Sequence, residues 1–226
     1  MNKLPEVTKN LLAINVLMFL AAIVMEKQGI SLVNILGLHF FKASDFAPYQ
    51  LVTYMFMHGG FSHLFFNMFA LYMFGSVLER VWGAKRFLIY YFVAGIGAGL
   101  LQEIVQYASF VSEGLAAYDG VSTKTGVIPM AQFLNLWTTV GASGAIYAIL
   151  LGFGMSFPND KMFVFPLPFP IKAKFFVIGY AVIELLLGIS DTQDGIAHFA
   201  HLGGMLFGLA MILYWRKKRK IGGPYV

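Results

Sequence analysis

Six apolar segments, each close to the roughly 20 residues that a helix needs to cross a bilayer, divide this chain. They run over residues 10–25, 61–79, 87–105, 139–156, 172–189 and 196–215. Of the 226 residues, 58% are hydrophobic and only 12% are charged, against about 25% charged residues in ordinary soluble domains. A soluble fold of this size could not bury so much apolar surface. The sequence therefore predicts one all-α membrane domain over residues 1–226, with six transmembrane helices.

Lysine and arginine residues are concentrated on one side of these segments. The connections between segments must lie alternately on the two sides of the membrane. With this assignment, 13 of the 16 basic residues lie on the same side as the termini, and only Lys27, Lys42 and Lys124 lie on the other side. The positive-inside rule then predicts that both termini lie in the cytoplasm. The basic run at 216–220 is interpreted as the cytoplasmic flank of the last helix rather than as a nucleic-acid site.

Other features limit the classes of function and structure. The chain has no cysteine, which excludes disulfides, thiolate metal sites and a cysteine nucleophile. No small-x-small cleavage site follows the first segment, which is therefore predicted to be an uncleaved helix. The connection 106–138 is long and lies outside, and its stretch YDGVSTKTG predicts a loop.

Three of the predicted helices carry polar side chains at a similar depth. The second has His63 and Asn67 on one face, the fourth has Ser143 with Tyr147 one turn below it, and the sixth has His201 near its start. In the predicted orientation all five lie in the outer third of the membrane. Such groups cost free energy in hydrocarbon, so they must face one another or a water-filled cavity. Interhelical hydrogen bonding is the alternative explanation for any one of them.

Serine hydrolysis is the chemistry that fits this set. A serine hydroxyl becomes a strong nucleophile when a neutral imidazole takes its proton, and His201 can supply that base to Ser143. The tetrahedral intermediate then needs hydrogen-bond donors, which the backbone N–H of Ser143, the Asn67 amide and the His63 imidazole could supply. The dipole of a helix that begins near Ser143 would favour the same negative charge.

A second histidine, His198, also lies at the start of the last helix. At about 100° per residue, His201 lies about 40° from the face that Gly204 and Gly208 share, whereas His198 lies about 100° from it. Glycines mark the face that can approach another helix most closely. His201 is therefore predicted to be the base, and His198 a neighbour that faces another helix or the aqueous opening.

Four motifs, in order along the predicted helices, resemble those of the rhomboid family of intramembrane serine proteases. A Gly-x-Ser-Gly motif lies at 141–144, and a His-x-x-Gly-x-x-x-Gly motif lies at 201–208. The second helix region carries His-x4-His-x3-Asn at 58–67 and Gly-x3-Glu-x3-Gly at 75–83. The resemblance covers about residues 8–215.

The resemblance implies a fold, a reaction and a site. The fold is the six-helix rhomboid bundle. The reaction is hydrolysis of a peptide bond within or beside another protein's transmembrane segment, with substrate passing the second and fifth helices and water arriving from outside. Ser143 is the nucleophile and His201 its only base, a dyad without a carboxylate, cofactor or metal. The supporting residues implied are His63 and Asn67 in the oxyanion hole, Tyr147 stacked on His201, and the motif glycines Gly141, Gly204 and Gly208.

The resemblance also implies partners and a location. The partners are transmembrane protein substrates and the lipid bilayer, with no nucleic acid, and the location is a bacterial inner or plasma membrane. The oligomeric state and the physiological substrate stay open. A Trp-Arg pair typical of the first loop in many members is replaced here by Tyr49-Gln50.

Three further groups of residues have more than one interpretation. Glu184 lies within the fifth segment, where an acid is either a functional residue or the partner in an interhelical hydrogen bond. His198 and His201 form His-x-x-His, but zinc would need further ligands, so no metal is predicted. Asp191 and Asp194 could orient a histidine, or could lie in a solvated loop.

Two functions compete with the protease interpretation. One is a catalytically silent relative that binds membrane clients, which loss of the serine or histidine would have indicated. The other is a small transporter, which predicts broken helices in inverted repeats and charges at the midplane. Here the polar residues gather at one side of the membrane, as in a cavity with one opening.

Overall fold

The computed structural model describes residues 3–124, 126–163, 168–190 and 197–218. Within these ranges the long helices correspond to the six predicted segments. They are α1 (Glu6–Glu26), α2 (Phe61–Trp82), α3 (Ala84–Ser112), α4 (Ser143–Ser156), α5 (Ala173–Ile189) and α6 (His198–Lys217). Four of them, α1, α2, α3 and α6, are long and apolar enough to cross a membrane. The helices α4 and α5 are shorter, at 14 and 17 residues.

Short strands lie in the connections, and each pairs antiparallel with one other strand. The pairs are β1 (Leu38–His39) with β4 (Thr138–Thr139), β2 (Gly120–Thr123) with β3 (Gly126–Pro129), and β5 (Lys161–Met162) with β6 (Ile171–Lys172). The β2–β3 hairpin occupies the stretch for which a loop was predicted. Single helical turns complete the connections at Leu32–Leu36, Gln50–Thr53, Tyr54–Phe56, Leu115–Ala117, Met130–Phe133 and Leu134–Leu136.

The outward faces of the long helices are apolar. Leu17, Phe66, Ile104 and Leu186, from four different helices, are between 60% and 66% exposed. A soluble domain would not leave such side chains in water on every face, whereas hydrocarbon solvates them well. Together with the lengths of the helices, this surface identifies an integral membrane protein.

The helix α4 lies in the middle of the bundle and packs against α2, α3, α5 and α6. Its glycines and alanines allow these neighbours to approach closely. Tyr90 of α3 is fully buried and donates a hydrogen bond of 2.6 Å to the Ala148 carbonyl, which fixes α3 against the central helix. Because four helices contact it, side chains from separate parts of the sequence can meet at its first turn.

The acid of the Gly-x3-Glu-x3-Gly motif joins α2 to α1. The carboxylate of Glu79 accepts hydrogen bonds from the backbone N–H of Val7 (2.9 Å), the N–H of Thr8 (2.7 Å) and the Thr8 hydroxyl (2.7 Å). These N–H groups belong to the first turn of α1, which has no intrahelical partner for them. Glu79 therefore caps α1, which gives the acid of this motif a structural role.

The long connection between α3 and α4 packs against the first loop, which joins α1 to α2. The helix α3 continues to Ser112, seven residues beyond its predicted end at 105, and stops before Gly114, whose φ of 70° is left-handed. Beyond the apolar part of α3 a small second core forms from Phe40, Ala43, Phe110, Met130 and Leu134. The connection is thus an ordered part of the fold.

The end of this connection fixes the start of α4. The strand β4 pairs with β1 of the first loop, and the N–H of Gly141 donates a 2.9 Å hydrogen bond to the Tyr54 carbonyl. Gln50 in turn holds the first loop: it is 1% exposed, accepts from the N–H groups of His39 and Ala47, and donates to the carbonyl of Asp45. The loop is therefore well anchored without the Trp-Arg pair.

Candidate active site

Ser143 is the first residue of α4. A helix of 14 residues is about 21 Å long, whereas the hydrocarbon core is about 30 Å thick. If α4 ends at the inner interface, its first turn lies within the outer part of the bilayer. The unpaired N–H groups of that turn and the helix dipole favour negative charge beside Ser143.

Gly141 brings Ser143 and His63 close together. Its φ of 126° is one that other residues rarely adopt, and a Cβ at this position would lie 2.7 Å from Nε2 of His63 and 3.5 Å from Oγ of Ser143. The first distance is shorter than a van der Waals contact, so only glycine fits here. The lack of space for a side chain thus explains why the first residue of the Gly-x-Ser-Gly motif is glycine.

His201 lies directly beside Ser143. Nε2 of its imidazole is 2.8 Å from Oγ of Ser143, and the residue is buried. The close packing of α6 on α4 makes this distance possible, since a Cβ on Gly204 would lie 1.8 Å from the Gly144 carbonyl oxygen and one on Gly208 would lie 2.9 Å from Cβ of Ala148. The glycine face predicted for α6 is the face that meets α4.

Tyr147 covers the imidazole of His201. The two rings are parallel to within 8° and their centroids are 4.2 Å apart. The hydroxyl of Tyr147 donates a short hydrogen bond to Oε1 of Glu184. The stack and the hydrogen bond together restrict the orientation of both side chains.

Glu184 of α5 contacts both histidines of α6. Its Oε2 is 2.9 Å from Nδ1 of His201 and 2.7 Å from Nδ1 of His198, and Glu184 is buried. The resemblance implies a dyad without a carboxylate; in the structure, a carboxylate lies on the far side of the His201 ring from Ser143. The sequence signal for it was present, since Glu184 is an acid within an apolar helix.

Asn67 and His63 lie one helical turn apart on α2. Asn67 is 6% exposed, and its Nδ2 donates no hydrogen bond within the described part of the chain. A buried amide donor without a partner is uncommon, because leaving it unpaired costs about 1–3 kcal/mol. Such a group suits a site that binds an oxygen during a reaction. His63 is half-buried and lies against Gly141.

His58, the first histidine of the His-x4-His-x3-Asn motif, precedes His63 in the sequence and packs against it in the structure. Their ring centroids are 5.0 Å apart. Burial, with a smaller effect of His63, lowers the pKa of His58 to about 4. The His58 ring is therefore neutral near pH 7 and adds no charge beside His63.

Glu184, His198 and His201 together offer three possible metal ligands. One donor atom from each lies within 4.8 Å of the others, so the third ligand that the His-x-x-His pattern lacked is supplied by α5. The hydrogen bonds described above already account for these atoms. The other two acids considered as partners of a histidine, Asp191 and Asp194, lie outside the described residues.

Comparison with known proteins gives one family. The family model described as the rhomboid domain matches residues 45–218. Over 172 residues the chain is 29% identical to the rhomboid protease AarA of Providencia stuartii, covering 73% of this chain and 56% of that protein. It is 28% identical to the rhomboid protease GluP of Bacillus subtilis, covering 71% of this chain and 24% of that protein.

Relatives are also found in organelles. RHOMBOID-like protein 6, mitochondrial, of Arabidopsis thaliana is 28% identical, over 72% of this chain and 42% of that protein. The chain thus spans between about a quarter and just over half of the length of these relatives. Since the family model covers well over half of the residues, the motifs, the helical bundle and the comparisons agree that this chain belongs to the rhomboid family.

Proposed function

We propose that this protein is a serine endopeptidase that cleaves transmembrane segments of other membrane proteins, with Ser143 as nucleophile and His201 as general base. The observation that carries the proposal is the 2.8 Å distance between Oγ of Ser143 and Nε2 of His201. This is hydrogen-bonding distance, and it is the geometry that a nucleophile and its base require. The names of two relatives as rhomboid proteases support the same reaction class.

The reaction proceeds in two steps. Oγ of Ser143 attacks the substrate carbonyl carbon and forms a C–O bond, while its proton passes to Nε2 of His201. The C–N bond then breaks, and the proton on Nε2 passes to the leaving amine. Water hydrolyses the resulting ester by the same sequence, with His201 taking the proton of the water and returning it to Oγ.

The negative oxygen of each tetrahedral intermediate is held by donors from two helices. The N–H of Ser143 at the start of α4, the Nδ2 amide of Asn67 and the imidazole of His63 are the proposed donors. The buried, unpaired amide of Asn67 supports this role, as does the position of His63 against Gly141. Donors fixed in advance stabilise such a charge strongly in a site of low dielectric constant.

Substrate reaches the site laterally, from the bilayer, between α2 and α5. Tyr180 of α5 is 38% exposed, and its ring lies 5.9 Å from that of Tyr147, so a partly lipid-facing side chain lies next to the residue that covers His201. A transmembrane helix arriving there must unwind locally, because its carbonyl groups are occupied by the i→i−4 hydrogen bonds.

The proposed domain comprises residues 1–226, with both termini in the cytoplasm of a bacterium and the site near the outer surface of the inner membrane. The distribution of basic residues supports this orientation. The absence of cysteine makes it easy to test. A cysteine at Lys124 should react with an impermeant maleimide added to intact cells, and one at Lys85 should react only after lysis. The reverse result would overturn the orientation.

The decisive test of activity compares the wild type with Ser143→Ala. Purified wild type should react with a fluorophosphonate probe and cleave single-span reporter proteins. Ser143→Ala should do neither, with a loss on the order of 10⁴-fold or more in turnover, and should keep the same unfolding temperature. Retention of a tenth of the wild-type turnover would rule out the mechanism. A wild type that binds reporters but neither reacts nor cleaves would indicate a client-binding relative instead.

A further inference from the structure

A buried carboxylate and a hydroxyl bind opposite sides of one imidazole ring. Oε2 of Glu184 is 2.9 Å from Nδ1 of His201, and Oγ of Ser143 is 2.8 Å from Nε2 of the same ring. We infer that Glu184 is the positioning residue of His201, so that the site works as a serine–histidine–glutamate triad. This inference rests on the proposed function, in which His201 is the base.

The carboxylate determines which nitrogen of His201 carries the proton. An ionised carboxylate can only accept hydrogen bonds, so Nδ1 of His201 must be the protonated nitrogen in the neutral ring. Nε2 then has a free lone pair directed at the hydroxyl of Ser143. This is the tautomer that a general base needs, and the other tautomer could not take the proton.

The hydrogen bonds around Glu184 fit an ionised side chain. Three donors from two neighbouring helices reach it: the Tyr147 hydroxyl on Oε1, and Nδ1 of His198 and of His201 on Oε2. Burial disfavours a charge, but several hydrogen bonds to the charged form offset that penalty. The charge also has a use during the reaction, because it stabilises the imidazolium that forms when His201 holds the proton of Ser143.

A purely structural role is the alternative explanation. The same hydrogen bonds join α5 to α4 through Tyr147 and to α6 through His198, so loss of Glu184 could loosen the bundle without any effect on the chemistry. The two roles predict different measurements. A structural tether affects the amount and stability of folded protein, whereas a positioning residue affects the rate of Ser143 in protein that remains folded.

The test is Glu184→Gln, with Glu103→Gln as its matched control. Glu103 is also a buried glutamate, on α3, but it accepts a hydrogen bond from the backbone N–H of Phe41 and takes no part in the site. For folded Glu184→Gln we expect kcat to fall by about 10²- to 10⁴-fold, the upper figure being the effect of a comparable change in another serine protease. KM should change little, and fluorophosphonate labelling should slow by a similar factor.

Glu184→Asp adds a rescue experiment. It restores a carboxylate on a side chain one methylene shorter, so its kcat should lie clearly above that of Glu184→Gln. Glu103→Gln should keep a kcat close to the wild-type value. If Glu184→Gln and Glu103→Gln lose activity equally and in proportion to their unfolding temperatures, the inference is overturned and Glu184 is a tether.

A measurement on the wild type keeps the inference testable if the variants do not fold. In protein labelled with ¹⁵N at histidine, the signals that disappear in His201→Ala should show a protonated Nδ1 and a bare Nε2. A proton on Nε2 instead would overturn the inference. A wild type that neither labels nor cleaves would overturn the proposed function and this inference with it, whereas active wild type with an equally active Glu184→Gln would overturn this inference alone.

Discussion

Gly204 and Gly144 are so close that neither the backbone of α6 nor that of α4 leaves room for a side chain between them. A Cβ on Gly204 would lie 1.8 Å from the carbonyl oxygen of Gly144 and 2.5 Å from its carbonyl carbon. Both neighbouring atoms belong to the backbone and cannot move aside without shifting a helix. One turn earlier on α6, His201 contacts Ser143. The contact between these glycines therefore also determines the distance between Nε2 of His201 and Oγ of Ser143.

Gly204→Ala should therefore lower both stability and activity. Overpacking in a rigid core destabilises by about 1–3 kcal/mol or more, and the shift of α6 should separate His201 from Ser143. Thermal unfolding in detergent and reporter cleavage measure the two effects. Gly179→Ala on α5 is the control, because a Cβ there meets nothing within 4 Å. Equal behaviour of the two variants would contradict the close packing of α6 on α4.

The two histidines of α6 should behave differently. His201 contacts Ser143, whereas His198 reaches only the shared Glu184 carboxylate among the groups of the proposed triad. His201→Ala should be as inactive as Ser143→Ala in a detergent cleavage assay. His198→Ala should stay within roughly tenfold of the wild-type rate, because Glu184 keeps its hydrogen bonds to Tyr147 and His201. The reverse pattern would overturn the assignment of the base.

Asn67→Ala should slow the chemical step less than Ser143→Ala does. Loss of one oxyanion donor lowers rates by about 10²–10³-fold, and the remaining donors should limit the effect. Single-turnover cleavage by folded enzyme measures it. Asn15→Ala is a matched control, because Asn15 is a fully buried asparagine of α1 that donates to the Leu11 carbonyl. If Asn67→Ala lowered only expression, with kcat unchanged, Asn67 would be a packing residue.

Reporter helices that unwind easily should be cleaved faster. A serine can attack a peptide carbonyl only when the strand is extended, and helical carbonyls are occupied by backbone hydrogen bonds. Replacing Gly or Pro residues near the outer end of a reporter by Leu should therefore slow its cleavage. The measurement is kcat/KM for the paired reporters in the same detergent or vesicles. Equal values would count against local unwinding as a requirement.

Zinc should inhibit the proposed protease activity reversibly. The donor atoms of Glu184, His198 and His201 lie within 4.8 Å of one another, and two histidines with one carboxylate form a known set of zinc ligands. A metal on Nδ1 of His201 would leave the ring proton on Nε2, which could then no longer accept the proton of Ser143.

The measurement is reporter cleavage over a zinc titration, followed by a chelator that should restore the rate. His198→Ala should need much more zinc for the same inhibition, because it removes one ligand. Inhibition of the variant at the wild-type zinc concentration would mean that the metal acts elsewhere.

The sequence predicted the family, the apolar helices and the residues that meet at the first turn of α4, because helical periodicity and fixed motif spacing report directly on which side chains share a face. It did not predict the partner of Glu184. The face of α5 that contacts α6 depends on how the two apolar helices pack. Because α5 is apolar on nearly all sides, its hydrophobic pattern does not indicate which face is buried against α6. The β2–β3 hairpin was missed because its strands are only four residues long and contain glycine, serine and proline, which are typical of turns.

The connection between α3 and α4 forms a closed hairpin before it reaches the site. At the base of the β2–β3 hairpin the N–H of Met130 donates to the Asp119 carbonyl over 2.8 Å, and Val127 in the hairpin is 74% exposed. The start of α4 is fixed separately, by the pairing of β4 with β1. An epitope or a small reporter domain inserted next to Val127 would therefore be attached through a closed hairpin, away from the start of α4. Such an insertion should allow the protein to be purified or imaged without disturbing Ser143.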